Sequence, residues 1–132
     1  MDTFVYGTLT EPARVAELVE SFVFVGAARL DGLHAVQGRY PTLAPGGSTA
    51  GRLLRTDDVA ALDAYEGVDD GLYVRVRVPF DGDDVAPDAV SVYVGDPSRL
   101  DAPASWPGTG PLEERVAAYV TRQAVSVRPV RS

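Results

Sequence analysis

The segment over residues 72–78 constrains the fold of this 132-residue chain more than any other stretch. Its side chains run in the order Leu72-Tyr73-Val74-Arg75-Val76-Arg77-Val78. Successive side chains of a β-strand point to opposite faces, so this alternation predicts a strand with one apolar face in the core. A second apolar run over residues 89–94 can pair back with it after a turn at Asp81-Gly82-Asp83-Asp84. The two segments predict an antiparallel hairpin.

The N-terminal region predicts a strand, a glycine turn and a helix. Residues 3–6 are β-branched and aromatic, which favours a strand, and Gly7-Thr8-Leu9 ends it. Thr10-Glu11-Pro12 is typical of a helix start. Apolar residues then follow at spacings of three and four, which predicts a helix over about residues 11–20.

The middle of the chain predicts further strands. Residues 22–30 are rich in Val and Phe, and Asp31-Gly32 predicts a turn after which residues 33–36 return as a hairpin partner. Residues 45–48, Pro-Gly-Gly-Ser, predict a loop. Residues 50–56 predict another strand, which leads to the helix that ends near residue 66.

The C-terminal region predicts less regular structure. Residues 96–110 are rich in Pro, Gly, Ser and Asp and predict a poorly ordered surface loop. Pro111 begins a last helix, and residues 124–132 are either an edge strand or a loose tail. The expected fold class is α+β, with a small mixed, strongly curved sheet or barrel and a few helices packed outside. Length predicts one domain over residues 1–132, with a core over about 3–95 and a variable part over 96–132.

Composition excludes several classes of function. The chain has no cysteine and one histidine, His34, so thiolate chemistry, disulfides and a zinc site built from histidines are not expected. Its net charge is −7 and its twelve basic residues are all Arg, which argues against nucleic acid as a partner. No apolar run approaches the ~18 residues of a membrane span, so we expect a cytoplasmic protein without membrane contacts. The expected partner of this acidic protein is a small molecule or another protein, and the chain is expected to be a monomer or a homodimer.

Glu66 lies at the end of an apolar helix row. It follows Val59 and Leu62 at i, i+3 and i+7, and Gly67 can adopt the left-handed conformation that ends a helix. A carboxylate there meets the negative end of the macrodipole, and partial burial adds to its desolvation, so its pKa should rise. The alternative is a glutamate that reaches solvent while Tyr65 completes the row, and periodicity by itself favours that alternative.

Two further features could bind a ligand. Gly7, in the turn Tyr6-Gly7-Thr8-Leu9, lets a ligand approach consecutive N–H groups that can hold an anion. Tyr73 and Arg75 share one face of their strand, and both side chains can hold a carboxylate. Taken separately, each feature is better explained as an ordinary turn or a solvent-facing strand, and His34 is expected to be a core or rim residue.

The order of these motifs resembles the gamma-glutamylcyclotransferase-like superfamily. The resemblance covers residues 3–94 and rests on Tyr6-Gly7-Thr8-Leu9, Tyr40-Pro41, Gly51, residues 62–67 (LDAYEG) and residues 72–75 (LYVR). It implies a barrel-like α+β fold with Glu66 as the catalytic acid/base. It further implies substrate binding by Tyr6, Gly7, Thr8 and Leu9, and more weakly by Tyr73 and Tyr40. The chain departs from the family pattern after Leu9, where a helix begins directly, and after Gly95.

The activity implied by this resemblance is a cofactor-free acyltransferase reaction with no metal. A γ-glutamyl amine or amino acid cyclises to 5-oxoproline and releases a free amine. Two alternatives remain at this stage: a module that binds small metabolites without turnover, and a protein-interaction domain on the same scaffold.

Overall fold

The computed structural model describes residues 1–82 and 88–130. Over these residues the chain forms six strands, four α-helices and a short 3-10 turn. In chain order they are β1 (Asp2–Val5), the 3-10 turn (Thr8–Thr10), α1 (Pro12–Leu18), β2 (Val23–Gln37), β3 (Pro41–Arg55), α2 (Val59–Glu66), β4 (Tyr73–Pro79), β5 (Ala89–Gly95), α3 (Pro97–Leu100), α4 (Leu112–Arg122) and β6 (Ser126–Pro129). The α+β class predicted from the sequence is confirmed.

All six strands belong to one mixed sheet, with the order β4-β5-β1-β3-β2-β6. The strand β1 pairs antiparallel with β3 and parallel with β5. A bridge between Phe80 and Val127 connects the chain just after β4 to β6, the opposite end of the sheet. The sheet therefore curls into a half-barrel, which agrees with the strongly curved sheet expected from the sequence.

Two hydrophobic cores lie on opposite faces of β1. All four residues of β1 are buried, and because side chains alternate along a strand, Phe4 and Val5 enter different cores. Val116 and Val120 of α4 pack in the core of Phe4. Val15 of α1 and Leu62 of α2 pack in the core of Val5. The helices α1 and α2 are thus held on the same face of the sheet.

The predicted turn at Asp31-Gly32 is wrong. Strand β2 continues through it to Gln37, and the pairing with β3 changes register between Asp31 and Leu33. Gly32 has φ of +104°, a conformation that lets a strand bulge without ending. The hairpin turns instead at residues 38–40, and residues 45–48, predicted as a loop, lie within β3.

The prediction of a surface loop over residues 96–110 is also wrong in part. Asp96 accepts hydrogen bonds from the N–H groups of Ser98 and Arg99 and begins the short helix α3. Leu100 and Trp106 are buried. These two large side chains anchor a segment whose composition is otherwise that of a loop.

The other predicted elements are confirmed within a few residues. The helices α1, α2 and α4 and the β4–β5 hairpin form, and β6 pairs with β2 as an edge strand. Asp83 and Asp84 of the predicted turn, and the last two residues of the predicted tail, lie outside the described residues.

Gly51→Ala is expected to lower the free energy of unfolding by about 1–3 kcal/mol, the usual cost of overpacking. A Cβ at Gly51 would collide with the Val5 carbonyl oxygen and approach Cζ of Phe4 to 2.7 Å. The Val5 carbonyl belongs to the central strand and cannot move without disturbing its pairing. Urea denaturation measures the difference.

Gly26→Ala is the matched control for that measurement. Gly26 lies in β2, and an added Cβ would meet no atom within 4 Å. Its unfolding midpoint should stay at the wild-type value or rise slightly, because alanine reduces the freedom of the unfolded chain. Equal midpoints for the two variants would contradict the tight packing of Gly51.

Candidate functional site

The end of β1 leads directly into the glycine turn. Val5 is the last strand residue, Tyr6 and Gly7 follow, and the 3-10 turn begins at Thr8. The N–H of Thr10 donates to the Gly7 carbonyl at 3.0 Å, and the Thr10 hydroxyl donates to the same oxygen at 2.6 Å. Both bonds hold the turn through the Gly7 carbonyl oxygen. The first N–H groups of a helical turn have no carbonyl partner inside it, which leaves them suited to an anionic ligand.

The opposite wall is the last turn of α2. Gly67 has φ of 67° and ψ of 37°, so it is the left-handed residue predicted to end this helix. Its N–H donates to the Ala64 carbonyl at 3.2 Å, and the N–H of Val68 donates to the Asp63 carbonyl at 3.0 Å. This pair of bonds is the Schellman arrangement, which satisfies the terminal carbonyls and ends the helix at Glu66.

Glu66 is half-buried, and burial raises its pKa from 4.5 to about 7. The sequence predicted this direction from two causes, the helix macrodipole and burial. The structure identifies burial as the cause. Near pH 7 the carboxyl is therefore close to half ionised, the condition in which one group can both accept and return a proton.

A cavity of about 430 Å³ brings these two walls together. Its lining consists of Phe4, Val5, Tyr6, Gly7, Thr8, Leu9, Arg14, Tyr40, Pro41, Tyr65, Glu66, Leu72, Tyr73 and Tyr93. The seven site residues implied by the family resemblance are all in this lining: Glu66, Tyr6, Gly7, Thr8, Leu9, Tyr73 and Tyr40. The structure places them around one space, and their individual roles stay predictions.

The inner tyrosines are held by backbone acceptors. The hydroxyl of Tyr6 donates to the Tyr93 carbonyl at 2.5 Å, and that of Tyr73 donates to the Pro41 carbonyl at 2.6 Å. Burial, and to a lesser degree neighbouring groups that include Glu66, raises the pKa of Tyr6 and of Tyr73. Both phenols therefore stay neutral in the physiological range. Tyr40 differs from them because it is 57% exposed and lies at the rim.

Arg75 does not join Tyr73 in the cavity lining. Its guanidinium lies 3.5 Å from the Asp63 carboxylate on α2, so the carboxylate that it holds belongs to the protein. Nδ1 of His34 donates a hydrogen bond to the Gly46 carbonyl at 2.9 Å, as expected for a structural residue. Of the two candidate ligand-binding residues of this strand, the structure thus places Tyr73 in the cavity lining and Arg75 outside it.

Three polar residues of the lining were not among the site residues predicted from the sequence: Arg14, Tyr65 and Tyr93. The Tyr65 hydroxyl lies 2.9 Å from the Thr8 hydroxyl and so connects α2 to the glycine turn. The position of Tyr65 next to Glu66 in the sequence could have indicated that it lines the cavity. Arg14 and Tyr93 come from α1 and β5, and their approach to the cavity depends on how those elements pack.

Within residues 1–82 and 88–130, no group of three His, Asp or Glu side chains is arranged to hold a metal ion. In the same part of the chain, no helix has the length and hydropathy needed to cross a membrane.

The fold and the cavity together define a class of protein. In it, a curled sheet in an α+β fold holds a helix-end glutamate and a glycine turn in the wall of one cavity. A family profile described as "Gamma-glutamyl cyclotransferase, AIG2-like" matches residues 3–108. The chain belongs to this family, because the match covers most of its length.

Solved structures share the fold. A structure described as gamma-glutamyl cyclotransferase matches with a TM-score of 0.62 and 20% identity, over 73% of this chain and 66% of that one. This chain thus spans just under two thirds of that protein. An uncharacterized human protein matches with a TM-score of 0.62 and 21% identity, over 72% and 66% of the two chains. An uncharacterized protein from Pyrococcus horikoshii matches with 0.55 and 14%, over 94% and 95%. Among proteins with curated descriptions, none is significantly similar in sequence.

Glu66→Gln is expected to stabilise the fold at pH 8 and to leave its stability unchanged near pH 4. The folded pKa is about 7 and the unfolded value is near 4.5, so between them only the folded state keeps the proton. The contribution of protonated Glu66 to the free energy of unfolding is fully present below the unfolded pKa, and it is lost as the pH rises through the folded pKa. The Gln variant should gain about 1–3 kcal/mol in free energy of unfolding at pH 8, measured by urea denaturation.

Glu20→Gln is the matched control, because Glu20 is exposed. Its difference from wild type should be small and the same at both pH values. A Glu66→Gln variant no more stable than wild type at pH 8 would show that the Glu66 carboxylate is not desolvated.

Proposed function

We propose that this protein is a gamma-glutamylcyclotransferase that converts a γ-glutamyl amine or amino acid to 5-oxoproline and a free amine. The observation that carries the proposal is that Glu66, with its pKa near 7, lines the same cavity as the Tyr6–Leu9 turn. Membership of the family supports the proposal.

The reaction is an intramolecular acyl transfer. The α-amine of the glutamyl group forms a bond to its own side-chain carbonyl carbon, and the amide bond to the departing nitrogen breaks. At pH 7 the α-amine is mostly ammonium, with an ordinary pKa of about 8, so it must first lose a proton. Glu66 takes that proton and donates it to the departing nitrogen as the amide bond breaks. The attacking nitrogen loses a second proton when the lactam N–H forms, and this proton passes to the released amine, which leaves as ammonium. Atoms and charge balance without a cofactor.

The glycine turn supplies the electrostatic part of this mechanism. N–H groups at the start of the 3-10 turn can hold the substrate α-carboxylate or stabilise the charge that develops on the carbonyl oxygen. The partly buried Tyr6 and the buried Tyr73 give the glutamyl group a shaped wall. Holding amine and carbonyl carbon about 3–3.5 Å apart then converts an extended, flexible substrate into a reactive conformer.

Loss of the Glu66 carboxylate is expected to reduce kcat at least about 100-fold, the usual lower range for a general acid/base. The assay incubates wild type, Glu66→Gln and the surface control Glu20→Gln with a panel of γ-glutamyl amines and dipeptides and follows 5-oxoproline. For wild type, kcat/KM should rise with pH through about 7 as Glu66 ionises. Unchanged turnover by the Gln variant would refute the mechanism.

A wild-type protein that gains thermal stability with γ-glutamyl ligands, yet makes no 5-oxoproline, would instead be the non-catalytic binding module. A protein that neither responds to these ligands nor turns them over would favour an interaction domain.

Arg14 is the basis for a prediction about the leaving group. Among the described residues that line the cavity, it carries the sole positive charge, and its side chain is 45% exposed. The glutamyl group must reach half-buried Glu66, so the leaving group extends toward the open side, where exposed Tyr40 also lies. Arg14 lies 3.5 Å from the exposed Glu17 carboxylate, and because such a surface pair is weak, a carboxylate on the leaving group can pair with Arg14 in its place.

Arg14→Gln should lower kcat/KM about tenfold for γ-glutamylalanine and much less for γ-glutamylethylamine, which lacks just that carboxylate. Arg122→Gln, at the exposed end of α4, is the charge-matched control and should not alter the ratio. An equal loss on both substrates would place Arg14 at the glutamyl α-carboxylate instead.

A further inference from the structure

Tyr93 contacts both walls of the cavity. Its hydroxyl donates to Asp63 Oδ1 at 2.6 Å, and Asp63 belongs to α2, the helix that ends at Glu66. Its backbone carbonyl accepts the hydroxyl of Tyr6, at the start of the glycine turn. The Tyr93 side chain is 2% exposed and lines the cavity. One residue of β5 thus connects the helix that carries the carboxylate to the loop opposite it.

Asp63 is bound by a cross-strand pair. Arg75 of β4 lies directly opposite Tyr93 of β5 in the sheet register. Asp63 Oδ1 accepts from Tyr93, and Asp63 Oδ2 lies 3.5 Å from the Arg75 guanidinium. Each carboxylate oxygen therefore has its own partner on the sheet. The Tyr93 bond is short and charge-assisted, and the Arg75 contact is an ion pair at 3.5 Å, so the two together hold this turn of α2 against the sheet.

The position of Asp63 determines that of Glu66. The two residues are three apart in α2 and share one side of the helix. The Asp63 carbonyl also accepts the N–H of Val68, which closes the turn after Glu66. Both the side chain and the backbone of Asp63 therefore hold the helix end.

The charged and titratable groups around Glu66 come from several elements. Tyr6 after β1, Tyr73 in β4 and Tyr93 in β5 each have a pKa that the Glu66 charge helps to raise. Burial is the largest cause for all three. Arg14 shares the cavity from α1. On α2 itself the neighbours are Asp63 and Tyr65.

We propose that Tyr93, acting through Asp63, is a positioning residue that holds the Glu66 carboxylate at its half-buried depth opposite the Tyr6–Leu9 turn. Tyr93 does not exchange protons with the substrate. Its hydroxyl is already committed to Asp63, and Asp63 is in turn committed to the sheet. As a role in catalysis, the proposal rests on the proposed cyclotransferase function. As a statement about the environment of Glu66, it can be tested without turnover.

Tyr93→Phe removes the hydroxyl and keeps the buried ring and the carbonyl that holds Tyr6. We expect kcat to fall about 10- to 100-fold, because small misplacements of a catalytic group have effects of that order. KM should change less, since the glycine turn is untouched. The pH at which kcat/KM rises should move from about 7 toward 4.5, as Glu66 gains water.

Variants of Asp63 distinguish the loss of its hydrogen bond to Tyr93 from the loss of its charge. Asp63→Asn keeps an oxygen acceptor for Tyr93 and should retain most of kcat, whereas Asp63→Ala should match Tyr93→Phe. The double variant Tyr93→Phe/Asp63→Ala should lose no more than either single variant, because both break the same bond. Tyr119→Phe is the matched control, since Tyr119 packs edge-on against Trp106 in the other core and should behave as wild type.

Carboxyl ¹³C NMR measures the Glu66 titration directly. The chain has six glutamates, and the signal missing in Glu66→Gln assigns the one of interest. In Tyr93→Phe and Asp63→Ala the Glu66 pKa should fall from about 7, and in Asp63→Asn it should stay there. Near-UV circular dichroism confirms that each variant is folded under the conditions used.

The outcomes distinguish the two proposals. If wild type makes no 5-oxoproline but the Glu66 signal moves as expected, the positioning role stands and the proposed function fails. If wild type is active and Tyr93→Phe keeps both its kcat and its Glu66 titration, the positioning role is wrong and the cyclotransferase stands. The positioning role is also wrong if Asp63→Asn loses as much kcat as Asp63→Ala while the Glu66 titration stays unchanged.

Discussion

The pairing of β1 on both edges is the constraint on which the rest of the structure depends. Its neighbours β3 and β5 run in opposite directions beside it, and its two faces enter different cores. Each of these three strands delivers one part of the cavity. The strand β1 leads into the glycine turn, β3 leads into α2 and Glu66, and β5 supplies Tyr93. The site is therefore assembled by sheet topology, although its parts are far apart along the chain.

Glu66 illustrates a conflict between stability and chemistry. A half-buried carboxyl whose pKa has risen to about 7 opposes folding at neutral pH, and the fold must hold it there by other contacts. Leu62 packs into the core, Gly67 ends the helix, and Asp63 is bound to the sheet by Tyr93 and Arg75. Such a group at the end of a helix that is otherwise well anchored is suited to proton transfer near pH 7.

Local patterns predicted the elements better than their connections. Alternation correctly identified the β4–β5 hairpin, and helical periodicity with Gly67 identified α2 and its last residue. Asp31-Gly32 has the composition of a turn but forms a bulge, because β3 offers a continuous partner to β2 on either side of it. Residues 96–110 have the composition of a loop, yet Leu100 and Trp106 bury themselves in cores made by distant segments. A composition reflects local preference, and pairing and burial depend on what lies nearby in space.

The sequence by itself determined the fold class, the family and the seven candidate site residues, because these depend on local periodicity and on short motifs in a fixed order. It also predicted the direction of the Glu66 pKa shift. The tertiary structure alone decided that burial causes this shift, that Arg75 is committed to Asp63, and that Arg14 and Tyr93 line the cavity. The physical reason is that desolvation and hydrogen bonding depend on the atoms that surround a group, and those atoms come from strands and helices that only the folded sheet brings together.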